Sequence, residues 1–158
     1  MKPERRHGMR VVMKMLAAVA ILISGFSCSF AADAKAHRLT IQVDQNDPAI
    51  MNLVLNNVTN IMDTYKSKGQ DVQIEVVAYG PGLHMLRDDT SPVKDRLKQT
   101  SELCFPSRIT FSACNNTKEG MEKREGHPIA IVSQAGLVPS GAVRLMELQE
   151  DGWSYLKP

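Results

Sequence analysis

Short runs of β-branched and aliphatic residues alternate along this chain with stretches whose apolar positions recur every three or four residues. That alternation constrains the fold more than any other feature. Residues 38–43 read as a first strand, and Asp44-Gln45-Asn46-Asp47 carries helix-start chemistry with Pro48 at a first helical position. Ile50, Met51, Val54, Leu55, Val58, Ile61, Met62 and Tyr65 then mark one face of a helix that Gly69 closes. Residues 72–78 read as a second strand, 83–86 as a short helical segment, and Val93, Leu97, Thr100 and Leu103 as one face of a second helix. A third strand is expected at 109–113 and a helix at 116–123. Beyond them, 128–132 and 137–138 are both strand-like, 141–149 reads as a helix and 153–156 as a last short strand. Parallel neighbours need crossovers, so this order implies an α/β chain with a mainly parallel sheet covered on both faces, a three-layer α/β/α arrangement.

The first residues have a different character. Lys2, Arg5, Arg6, Arg10 and Lys14 face one acid, Glu4, and an apolar run over 15–26 leads to small residues at Ala31, Ala32 and Ala34. A basic segment, a short apolar run and small residues at cleavage spacing describe a secretory signal peptide over 1–34, followed by one domain over 35–158. The apolar run is shorter than the ~20 residues that span a bilayer, so a retained anchor is the weaker reading and no membrane insertion is expected after cleavage. Cys28 lacks the aliphatic residue that precedes a lipoprotein cysteine, and it is expected to leave with the signal. The formal charge of +2 belongs to this segment. Without it the chain is mildly acidic, and nothing global points to nucleic acid.

Cys104 and Cys114 then remain. The strand between them separates them by roughly 20 Å at ~3.3 Å per residue, so Cys114 is expected to be unpaired within its chain. Sites in open α/β sheets form beyond the carboxyl ends of strands, which selects three segments: 44–47, 79–84 and 114–117. Cys114 stands at a strand exit before Asn115, Asn116 and Thr117, whose side chains or amides can cap a helix and hold an anion. A thiol so placed is a candidate stabilised thiolate; the competing reading is a buried small hydrophobe. Gly80 and Gly82 around Pro81 make a tight turn or admit a ligand near Tyr79, and His84 is either a proton donor to thiol chemistry or an ordinary surface residue.

Other chemistries lack their residues. His7, His37, His84 and His127 have no metal-ligand spacing, there is no CxxC, and GxGxxG, phosphate-loop and GxSxG patterns are missing. No metal and no cofactor is expected.

VVAYGPGLHML, FSACNNT and the ending GAVRLMELQEDGWSYLKP resemble the exported branch of the DsrE/DsrF-like proteins. The resemblance runs from Leu39 to Pro158. It implies a flavodoxin-like three-layer fold, a homo-oligomer and a link to sulfur metabolism, with the family's sulfur-carrying cysteine at Cys114. The expected function is a periplasmic sulfur carrier or sulfurtransferase-like protein that uses a single cysteine persulfide and meets sulfur donor and acceptor proteins. The alternative is a non-catalytic oligomeric small-ligand-binding or assembly module. Redox sensing through an intermolecular disulfide ranks third.

Overall fold

Five strands pair in parallel throughout, in the order β4-β3-β2-β1-β5. The computed structural model describes residues 37–102 and 108–158. The signal peptide, Cys28, Leu103 and Cys104 lie outside the described residues. The strands are β1 (His37–Val43), β2 (Val72–Ala78), β3 (Arg108–Cys114), β4 (Ala135–Val138) and β5 (Ser154–Leu156). The helices are α1 (Pro48–Ser67), α2 (Lys94–Glu102), α3 (Asn115–Glu125) and α4 (Gly141–Glu150). The three-layer α/β arrangement expected from the alternation is observed. The strand order differs from the 2-1-3-4-5 order of flavodoxin.

Local chemistry explains the elements. The Asp47 carboxylate accepts from the Ala49 N–H at 2.7 Å at the start of α1, with Pro48 at its first turn. Met51, Val54, Leu55, Val58 and Met62 form the buried stripe of that helix. Gly126, at φ 76°, ends α3 in the left-handed region that a side chain resists.

The two faces of the sheet are unequal. Ile41, Val43, Ile74, Val76, Ala78, Phe111 and Ala113 pack with α1, Leu97 of α2 and Met121 of α3 into the main core. Residues of opposite parity face α4, where Val77, Leu145 and Leu148 form a smaller cluster joined by Tyr79 and Trp153. That second face is largely polar. Glu75, almost fully buried, accepts from the Ser112 hydroxyl at 2.7 Å and from Arg144 Nε and Nη2, both at 2.8 Å. A buried carboxylate needs such company, since desolvation alone would cost more than any one contact returns.

Residues 128–132 correct an expectation. They form no strand of the sheet; Ile131 makes an isolated antiparallel bridge with Arg87, framed by Asp88 N–H to Ala130 O and Val132 N–H to Leu86 O, both at 2.9 Å. The place beside β3 is taken by β4. Arg87 is fixed on its own side of the bridge, its buried guanidinium bound to both oxygens of Asp89 and both of Glu125 at 2.6–2.9 Å. Those bonds keep the Asp89 carboxyl down at about 2. The segment expected to be helical at 83–86 is a 3-10 turn beginning earlier, over Gly80–Met85.

That turn crosses the end of β1 at very close range. A Cβ at Gly82 would lie 2.3 Å from the Val43 carbonyl oxygen, whereas one at Gly120, inside α3, would meet nothing within 4 Å. Gly82→Ala is therefore expected to destabilise the protein by about 2 kcal/mol or more, because backbone must move. Gly120→Ala is expected to stabilise it by about 0.5–1 kcal/mol through helix propensity. Urea unfolding midpoints of the two variants check both signs.

Candidate functional site

Strands β3 and β4 are neighbours whose chains leave in opposite directions. After β3 the chain enters α3 on the main-core face; after β4 it enters α4 on the other. Such a divergence opens a crevice at the carboxyl ends of the two strands. Cys114, the last residue of β3 and the N-cap of α3, sits there opposite Val138.

Two helix starts converge on its sulfur. Burial pushes the Cys114 thiol up, but the Thr117 hydroxyl and the N–H groups of Gly141, Thr117 and Asn116 hydrogen-bond the sulfur and outweigh burial, so the thiol lies below its ordinary value. Asn116 and Thr117 belong to the first turn of α3, and Gly141 opens α4. Free amides and helix dipoles at such ends favour an anion, here a thiolate. The Asn116 N–H also donates to the Pro139 carbonyl at 3.2 Å, tying the two helix starts together.

The loop after β2 completes the enclosure. The Gly80 N–H, in a backbone held at φ 52°, donates to Thr117 Oγ1 at 3.0 Å, leaving the Thr117 proton for the sulfur. A Cβ on Gly141 would stand 2.8 Å from Tyr79 Cβ and 3.3 Å from Cys114 Cβ. Glycine at 141 is what lets its amide reach the thiol. Cys114 itself is 4 % exposed.

The expected site residues divide accordingly. Cys114, Gly80, Thr117 and the Asn116 backbone meet in one place. Tyr79 borders it through its Cβ and its ring Cδ1, 2.8 and 3.3 Å from where a Gly141 Cβ would stand, and also packs against the cluster of Val77, Leu145 and Leu148. Burial first, and then Asp44, raise its phenol above the usual value. Gly82 serves the close approach to Val43 rather than the crevice. Asn115 turns its amide to Glu119 at 2.7 Å, and His84 Nδ1 lies 2.9 Å from Thr90 Oγ1, its sole hydrogen-bond partner among the described residues. Gly141 and Pro139 were not foreseen as part of the site. The signal was present in Ser140-Gly141, a helix start after a strand, but placing it beside Cys114 requires knowing that β4 pairs with β3. Among the described residues no group of three His, Cys, Asp or Glu is placed to hold a metal ion, and no helix is long and apolar enough to cross a membrane.

No family model and no curated protein matches the chain. Among solved structures, a protein of unknown function from Methanobacterium thermoautotrophicum, MTH1491, is 28% identical over 77% of this chain and 99% of its own, with a TM-score of 0.64. The fold is shared. A conserved protein of unknown function from Bacteroides thetaiotaomicron, BT1422, matches 77% of this chain and 94% of its own at 15% identity and a TM-score of 0.47.

The hydrogen bonds around Cys114 have a measurable consequence. Site-resolved alkylation of Cys114 against pH is expected to show a midpoint below the ~8.5 of an ordinary thiol, and Thr117→Val to move it upward. The same shift contributes stability that is complete above the unfolded-state value and is lost as pH falls through the folded one. Wild type should therefore gain stability over Cys114→Ser as pH rises toward 9, read by denaturant unfolding.

Proposed function

We propose that this chain is an exported, periplasmic DsrE/DsrF-like protein that carries sulfane sulfur as a persulfide on Cys114 and works as a homo-oligomer. The observation that carries the reading is the convergence of two helix starts and the Thr117 hydroxyl on one buried sulfur. Cysteine needs none of this to fill space, whereas a thiolate nucleophile needs all of it. Each of the three sequence motifs of the resemblance contributes one of the segments that meet there: 79–80, 114–117 and the start of α4.

The step is a thiol exchange. The Cys114 thiolate attacks the outer sulfur of a donor R–S–SH; the donor's S–S bond breaks, a new S–S bond forms on Cys114, and R–S⁻ leaves with the electron pair. Transfer to an acceptor thiolate repeats the exchange with Cys114 as the leaving group. The amides of Asn116, Thr117 and Gly141 stabilise the Cys114 thiolate at the beginning of loading and at the end of release.

A specific observation favours the second reading, an oligomeric binding or assembly module. Cys114 is nearly inaccessible, and α4 exposes Val143 and Met146 on the side away from Leu145 and Leu148, so the helix is apolar on both sides. In that case the hydrogen bonds around Cys114 hold two helix starts together and do nothing else.

Intact mass after incubation with polysulfide separates the two. A reductant-labile gain of about 32 Da per sulfur atom, present in wild type and Cys104→Ser and missing in Cys114→Ser, is expected for the carrier. Reduced, folded protein that takes up no sulfur on Cys114 overturns it. The homo-oligomer is checked by light scattering, where Met146→Glu is expected to lower the mass of the assembly while leaving the fold intact.

A further inference from the structure

A cavity of about 520 Å³ lies between the β3–β4 edge and α4, lined by Ser112, Val138, Ser140, Val143, Arg144 and Glu147 among others. It adjoins the thiol without including it. Ser112 and Cys114 point to the same face of β3, about 7 Å apart along the strand, and Ser140 on the cavity wall precedes the Gly141 amide that bonds the sulfur. The size falls within the range of sites for small molecules.

Its charges are unusual. Arg144 gives Nε and Nη2 to the buried Glu75, which fixes the guanidinium and cancels its charge. Its remaining nitrogen, Nη1, forms a loose ion pair with the half-exposed carboxylate of Glu147 at 3.7 Å. That gap is longer than a hydrogen bond. That loose pair lines the cavity beside the apolar walls of Val138 and Val143, and its donor and acceptor can each take a closer partner. A simple anion is disfavoured, because Glu75 and Glu147 together outweigh Arg144. A neutral molecule bearing both charges fits.

We propose that this cavity binds a small zwitterionic α-amino acid, its carboxylate on Arg144 Nη1, its ammonium on Glu147 and its side chain against Val138 and Val143. Where that side chain ends in a persulfide the amino acid is the low-molecular-weight sulfur donor to Cys114, and where it ends in a thiol it is the acceptor; this last clause rests on the carrier reading, and the binding itself does not.

The test is calorimetric titration of the full chain with S-methyl-L-cysteine, which binds without reacting, on wild type and on Cys114→Ser. Saturable binding by both proteins is expected, at least tenfold weaker for the O-methyl ester and for the N-acetyl derivative, each of which lacks one charge. Val143→Trp, at a position 47 % exposed and so tolerant of size, is expected to abolish binding by filling the cavity, and Glu147→Gln to weaken it for the free amino acid and the methyl ester, which keep the ammonium, but not for the N-acetyl derivative. No binding, equal binding of the three compounds, or undiminished binding by Val143→Trp overturns the proposal. Sulfur uptake from polysulfide is read separately. Uptake without probe binding removes the cavity assignment alone, and probe binding without uptake removes the carrier reading while the amino-acid site stands.

Discussion

All five strands are parallel, so every connection must return along a face of the sheet, and the one connection that changes face decides where chemistry can occur. Chain links from β1 to β4 step steadily across the sheet and place α1, α2 and α3 on one side. The last link returns from β4 past three strands to β5, which puts α4 on the other. Only between β3 and β4 do adjacent strands send their helices apart. The ends of two helices therefore meet over the end of β3, and the residue there is a cysteine. Had β4 joined the opposite edge, Gly141 would be far from Cys114 and the sulfur would have lost one of its two helix starts.

Most of the fold was legible because its signals are local. The α1 stripe from Met51 to Met62, the Asp47–Pro48 start and the β-branched run of β2 each state their structure within a few residues. The segment 128–132 misled for a physical reason. Ile129 and Val132 are apolar because they belong to the main core, with Ile131 packed against it, while the segment pairs with Arg87 rather than with a strand of the sheet, and neither that bridge nor a buried arginine held by Asp89 and Glu125 can be anticipated from spacing. Within the site, Cys114, Gly80 and Thr117 were visible as types at a strand exit. Gly141 was not, since its role depends on a pairing between strands 21 or more residues apart in sequence.

The face under α4 shows how the polar residues of a sheet can be structural and still leave chemistry available. Glu75 takes three hydrogen bonds and Arg144 gives it two, so the pair resolves its own desolvation. Replacing one member would strand the other, which makes the pair an anchor for α4 over β2. The anchor also sets the position of Gly141 three residues before Arg144, and through it the amide that faces the thiol. Buried charge, helix position and thiol character are in this way one connected arrangement.

Burial of Cys114 restricts which reaction partner can be served. A cysteine only 4 % exposed cannot present its sulfur to another folded protein unless a neighbouring segment such as the start of α4, which abuts it, moves aside. That movement would break the Asn116–Pro139 bond and withdraw the Gly141 amide, removing part of what stabilises the thiolate at the moment it must attack. For the proposed carrier a small donor would ask for much less, since the cavity lined by Pro139 and Ser140 adjoins the residues that hold the thiol. For the proposed carrier, loading by a small molecule and delivery to a protein would be unequal steps: the first would keep the amide cradle closed around the nucleophile, whereas in the second Cys114 would be the leaving group and the cradle would close only after the sulfur had gone.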